Sequence, residues 1–319
     1  MPAVIAHDLF ARRVCARLKQ ERDGAPLPAD AAIVQVGAQG PDLLYFHRVF
    51  PWQPGRSYAR YGLRLHHISP RRLFDTCAAV MRGDPQMAAV GQSLVAGWLC
   101  HYALDRTVHP FVLYWQQVLQ EEQPRYARRP NFYHYRIESA LDTLTLRWES
   151  GRFVADFSLP RVLPPRDDRR EAAIGRFLSL VLYRLFELPP DPGHAALAVG
   201  DMRLAMRCMN DPHQLRRRLV FRPLETAAMC GHVASSLLRP AMADDWDYAN
   251  RARRIWHYPD DPERTSSQTY AELYEEAADE AAQMVRTFWA TWRAGLPDLT
   301  GDRGFSSNLR GIYSETSEE

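Results

Sequence analysis

Apolar residues along this chain recur at intervals of three and four and almost nowhere at intervals of two, which restricts it to packed helices. Ile5, Leu9, Phe10, Val14 and Leu18 mark one face of a first helix. Ser69-Pro70 opens another, with Ser as N-cap and Pro at the first helical position, where a missing N–H costs nothing. Asp84-Pro85 repeats that signal, and the pattern continues through Val95, Trp98, Leu99 and Tyr102. His109-Pro110 predicts a restart that carries Val112 to Leu119. Further helices are expected over about 131–149, 169–186, 192–210, 223–238 and 270–292. No segment alternates with period two between hairpin turns, so no sheet is expected and the fold class reads as all-α.

Loops are expected at 20–31, 48–64 and 240–267, and the proline-rich run Leu159 to Arg166 reads as a linker between helices or lobes. Residues 1–297 are expected to form one multi-helix domain. Residues 298–319 lack apolar periodicity, end in acidic residues and read as a tail.

Composition removes several classes of protein. With 46% hydrophobic and 24% charged residues, the chain is neither disordered nor fibrous. A formal charge of +2 gives no electrostatic case for nucleic acid or membrane. Lys19 is the sole lysine among the basic residues, a skew that coding bias explains more simply than phosphate recognition. Cys15, Cys77, Cys100, Cys208 and Cys230 are widely spaced and form no Cys-x-x-Cys, so neither a disulfide framework nor a thiolate zinc site is implied. The N-terminus has no basic, apolar leader, and no apolar run reaches the 18 or so residues of a membrane span. A cytoplasmic, reducing location is expected.

The informative segment is Gly97-Trp-Leu-Cys-His-Tyr-Ala-Leu-Asp-Arg-Thr-Val-His-Pro. His101, Asp105 and His109 stand four apart, and a helix through 101–105 puts the first two on one face, an imidazole and a carboxylate about 6 Å apart along the axis. Both are ordinary zinc donors. Pro110 suggests that His109 sits at a helix boundary and serves a neighbouring site. His134 and Glu138 repeat the spacing on a second helix. One such pair means little, but His-x-x-x-acid-x-x-x-His arises by chance only about 0.05 times in a chain of this composition.

These residues bring a family into view. The chain resembles the bacterial zinc-dependent phospholipase C family, which shares an all-α fold with the single-strand-specific zinc nucleases. The resembling pieces are Pro2 to His7, Gly37-Ala-Gln-Gly-Pro-Asp-Leu-Leu-Tyr-Phe, Arg64-Leu-His, His101 to Phe111 and His134-x-x-x-Glu138, in the family's order. Weaker echoes are Asp247 to Pro259 and Phe305-Ser-Ser-Asn-Leu; residues 159–240 carry none.

The resemblance implies three zinc ions in a cleft between helices. Asp42, His66, His101 and Asp105 match the ligands of the first ion. Asp105 also matches the carboxylate bridging to a close second ion, which His7 would bind. His109, His134 and Glu138 match the ligands of a more separated third. His67 follows His66 directly, and Arg-Leu-His fits the family better with His66 as ligand. The family's secreted members ligate the second ion through an N-terminal tryptophan that this chain lacks. Removal of Met1 would offer the amine of Pro2 instead, and without it two ions are expected.

The implied activity is zinc-dependent phosphodiester hydrolysis through a metal-activated water, with Asp42 as proton acceptor and catalytic residue. No Gly-x-Ser-x-Gly elbow offers a side-chain nucleophile. Phospholipase C-type cleavage of a phospholipid or related phosphoester is the first expectation, with transient contact at a membrane surface. A single-strand nuclease or nucleotide phosphodiesterase with the same ions is the alternative, and the one in which nucleic acid is the partner. A non-enzymatic zinc protein is the third, disfavoured because structural sites close with four protein ligands. Arg56, Arg60, Arg64, Arg106 and Arg136 could hold phosphate, but read more simply as surface charges. Tyr45, Phe46, Trp52, Tyr58 and Tyr61 line a groove or, more simply, pack in the core.

Overall fold

In a computed structural model the described residues are 3–20, 30–123, 132–227, 238–243, 245–301 and 303–305. Helix makes up 69% of the structure and strand 3%, so the all-α expectation holds. The central element is α5, Pro85–Glu122, a helix of 38 residues that is buried along most of its length. Around it pack α1 (Val4–Gln20), α2 (Ala31–Gly37), α4 (Pro70–Gly83), α6 (Phe132–Ser150) and α7 (Asp168–Phe186). The short α3 (Ala59–His67) packs on a 3₁₀ segment, Gly40–Phe46, which is in contact with α8 (Pro192–Met209). After a brief α9 (Arg222–Ala227) and a hairpin, the long α10 (Tyr270–Thr291) returns along α5.

Helix starts follow the chemistry of their caps. Ser69 accepts from Arg72 N–H, and Asp84 accepts from Gln86 N–H, each just before a Pro at the first helical position. Thr269 and Glu272 form a reciprocal capping box at α10. On the solvent side of α1, Arg13 pairs with Glu149 of α6 and Glu275 of α10, and Arg17 with Glu275 and Asp279.

Several expectations need correction. Pro110 does not restart a helix, because α5 runs unbroken through it. Its ring removes one N–H bond, a cost that the burial of Val108, Phe111, Val112 and Trp115 offsets. The loop expected at 48–64 ends in α3, whose nine residues bury only Tyr61, Gly62 and Leu65, too short a stripe to register as a period. The loop expected at 240–267 contains an antiparallel pair, β1 (Trp256–Tyr258) and β2 (Asp261–Ser266). β2 has no buried residue, so no alternation was there to be read. The proline-rich run is not a linker between lobes: Leu159, Val162 and Leu163 are buried in the same core as α1 and α5. Of the helix expected over 223–238, residues 222–227 are helical, and 228–237 lie outside the described residues.

The segment expected as a tail begins inside the structure. Thr300 and Phe305 are buried. The Tyr102 hydroxyl donates to the carbonyls of Arg303 and Thr300, at 2.5 and 3.4 Å, and Arg106 donates to Thr300 O at 3.2 Å. This clasp brings Phe305 against the polar side chains of α5.

Candidate metal centre

Two glycine contacts set the position of the first donors. At Gly37 and Gly97, α2 and α5 approach so closely that a Cβ would lie 2.3 Å from Leu94 O or 2.4 Å from Val34 O. That approach carries Ala38 O to 3.2 Å from Nδ1 of His101. Gly40 then turns the chain at φ +54°, and a Cβ there would enter the His101 ring at 2.4 Å. Pro41 and Asp42 follow, and the Asp42 carboxylate lies 3.3 Å from Nε2 of His66 on α3.

Because α5 is continuous, His101, Asp105, His109 and Gln116 share one stripe, at about 0°, 40°, 80° and 60° around its axis. Asp105 is the hub. Its Oδ1 lies 3.2 Å from Nε2 of His7 on α1, while Oδ2 lies 3.2 Å from Nε2 of His101, 3.9 Å from Nε2 of His66 and 3.8 Å from Nδ1 of His109. On α6, Glu138 Oε1 lies 3.1 Å from Nε2 of His134 and 3.6 Å from Nε2 of His109. The eight expected ligands among the described residues thus meet in one place; Pro2 lies outside the described residues. His67 is exposed and His66 faces Asp42, which favours His66 as the donor. His47 is buried with both ring nitrogens occupied, by His194 O and Tyr58 N–H.

The imidazoles are prepared as donors. Nδ1 of His66 faces Gly62 O at 2.8 Å, Nδ1 of His101 faces Ala38 O, Nδ1 of His109 faces Phe305 O at 3.4 Å, and Nδ1 of His134 faces Gln116 Oε1 at 3.1 Å. An oxygen acceptor at Nδ1 holds a proton there and turns Nε2 inward, the arrangement that orients metal-ligating histidines. Nε2 of His101 is buried and, although close to Asp105, makes no aligned hydrogen bond. Such a group carries a desolvation cost that a cation would remove.

Three groups of donors follow: Asp42, His66 and His101; His7, His101 and Asp105; and His109, His134 and Glu138, each with its atoms within 4.8 Å of one another. Tetrahedral donors 2.0–2.2 Å from zinc stand about 3.3–3.6 Å apart. The closest pairs, at 3.1 to 3.3 Å, come within about 0.2 Å of that edge. One imidazole lone pair serves one ion, so His101 can belong to only one of the first two groups. Asp105, with an oxygen toward each, is the residue able to serve both.

Electrostatics agree with a cation-seeking site. Burial alone would raise the carboxyls of Asp105 and Glu138, but His101 and His109 outweigh it at Asp105, and His134 does so at Glu138, holding both well below the usual range. Asp42 is likewise held low despite burial, with His66 and His101 among the causes. Burial would lower His109, yet Asp105 and Glu138 push it up to about 9. Burial and the neighbouring His101 lower His7.

Several contributors were not singled out from sequence. Gln116 orients His134, and its signal was present: it stands seven residues, two turns, after His109 on a helix taken to break at Pro110. Phe305, which the sequence offered only as a weak echo of the family, packs edge-on to His66 at 5.0 Å, and Tyr45, expected in a groove or in the core, stacks on the same ring at 5.7 Å. Phe46, Tyr58 and Tyr61 are core residues, whereas Trp52 is 66% exposed. Arg106 is committed to Glu280 at 2.7 Å and Arg136 to Asp245 at 2.7 Å, as structural and surface charges rather than phosphate ligands.

No protein-family model, curated protein or solved structure matches this chain. The class that fold and site define is an all-α protein with buried His/Asp/Glu groups able to hold metal ions. Among the described residues no helix is long and apolar enough to cross a membrane.

Proposed function

We propose that the protein is a zinc-dependent phosphodiester hydrolase of the phospholipase C type, acting on a phospholipid or related phosphoester. The observation that carries this reading is Asp105, whose two carboxylate oxygens turn to different imidazoles, Oδ1 to His7 and Oδ2 to His101. Two close cations need a shared anionic ligand of this kind. When bound, divalent ions supply Lewis-acid polarisation of a phosphoryl oxygen and lower the pKa of water toward neutrality.

The chain's own residues do the rest. Asp42, kept ionised beside His66, is the proton acceptor for the attacking water. His109 stands between Asp105 and Glu138 and couples the third donor group to the first two. That third group would hold the ion that offsets charge on the departing alkoxide. Tyr45, stacked on the His66 ring, and Phe305, edge-on to it, add aromatic surface beside His66.

The test is metal analysis of the purified protein, followed by turnover on a chromogenic phosphocholine ester, bis(p-nitrophenyl) phosphate and single-stranded DNA. Zinc with chelator-sensitive turnover of the phosphocholine ester supports the proposal. Preference for DNA moves the protein to the nuclease alternative. Bound zinc with no turnover on any of them makes the centre structural.

A further inference from the structure

Residues 213–224, which lead from α8 into the first turn of α9, carry most of their apolar side chains into solvent. Leu219 is 72% exposed, Leu224 63%, Leu215 58% and Val220 45%. The backbone underneath is anchored. Asp211 accepts from the N–H groups of Arg216 and Arg217 at 3.1 and 2.8 Å, and buried Gln214 donates to Arg239 O at 2.8 Å. The chain then widens into a π-helical turn, Arg217–Phe221. These leucines are therefore held outward on a fixed element.

Charge accompanies the apolar surface. From His213 to Leu224 the sequence is His-Gln-Leu-Arg-Arg-Arg-Leu-Val-Phe-Arg-Pro-Leu, with no acidic residue. Arg216, Arg218 and Arg222 are exposed among the leucines, while Arg217 is half-buried and donates to Gln214 Oε1 at 3.2 Å. Interleaved exposed leucines and arginines without acids match the two layers of a bilayer surface, anionic headgroups above the start of the acyl chains.

We infer that residues 213–224 are a docking element for an anionic lipid surface. The leucines enter the headgroup–acyl boundary and the arginines meet the phosphates around them. This inference does not rest on the hydrolase reading, because the element contains no metal ligand and should bind with the centre stripped.

The test is co-sedimentation of the full chain with vesicles of phosphatidylcholine alone or mixed with phosphatidylglycerol, with and without chelator. Binding to the mixed vesicles, little to the neutral ones, and weakening with salt are expected. Each arginine is worth about fivefold near an anionic surface, so Arg216→Gln/Arg218→Gln/Arg222→Gln should lose about a hundredfold. Leu219→Ser/Leu224→Ser should weaken binding at unchanged charge. Arg71→Gln/Arg72→Gln, which removes exposed charge from α4, should leave binding intact. Melting temperature and zinc content confirm that each variant is folded. Equal binding to both vesicle types, equal binding by all variants, or a dimer abolished by the leucine variant without vesicle binding overturns the inference. Vesicle binding without lipid hydrolysis would leave it standing and count against the phospholipase reading alone.

Discussion

Nε2 of His101 lies 3.2 Å from Oδ2 of Asp105, one helical turn along α5, yet this buried nitrogen makes no aligned hydrogen bond. A lone pair and a carboxylate oxygen set side by side repel unless a proton or a cation lies between them. One ring proton is committed at Nδ1, to Ala38 O, and Asp105 favours a second at Nε2, the position that a metal ion would take in its place.

The bridging role proposed for Asp105 separates it from His109. Asp105→Asn keeps the shape and removes the charge that offsets two neighbouring cations, so at least one ion of the close pair should leave. His109→Ala should empty only the third group. We expect Asp105→Asn to lower turnover on any phosphodiester substrate further than His109→Ala and to lose more zinc. Metal counts and rates for both variants measure this, and full metal with near-normal turnover in Asp105→Asn would refute the two-ion assignment.

Proton competition gives the third group a pH signature. His109 is pushed up to about 9, so below that pH the metal-free ring is an imidazolium with no lone pair at Nε2. Metal must displace that proton, and apparent affinity should fall about tenfold per pH unit below 9 and level off above it. Between pH 8 and 6.5 the loss should be about thirtyfold. Zinc titrations of the stripped protein across that range, with calorimetry in two buffers to count released protons, check the slope.

Gly40 is a packing device for His101. Gly40→Ala forces an L-residue to φ +54° and drives a methyl into the imidazole at 2.4 Å. The conformation alone costs about 1–2 kcal/mol. Thermal unfolding should show that loss, and zinc content should fall with it because the ring must tilt. A variant that melts lower but keeps all its zinc would show that Gly40 serves the turn and not the site.

Gln116 makes no contact that a metal needs directly, but it holds the Nδ1 proton of His134. Gln116→Ala should therefore weaken the third ion by about 10- to 100-fold. Global stability should change little, since Gln116 is only partly buried. Gln116→Glu, which restores an acceptor, should recover part of the affinity. Competition with a metal indicator reads both.

Much of the centre was legible because helices translate spacing into geometry. His101 with Asp105, and His134 with Glu138, each face inward one turn apart, as a four-residue interval requires. Local chemistry also set the helix starts, where Ser69 and Asp84 cap as their side chains dictate. The resemblance assigned Asp42, His66 and His7, which no local interval connects to the rest.

Where local and tertiary terms oppose each other, only the folded chain decides. Proline at 110 disfavours helix, but the burial of apolar neighbours on both sides carries α5 through it, and that continuity aligns His109 and Gln116 with His101. β2 and α3 bury too few residues for any period to show. The tautomers are set by acceptors distant in sequence: Ala38 O reaches His101 through a glycine-to-glycine helix contact, and Phe305 O reaches His109 through a clasp on Tyr102. Sequence by itself determined which donors exist and their spacing along each helix, because those depend on bonds and turns. The tertiary structure decided which lone pairs point inward, because that depends on acceptors brought across the fold by packing.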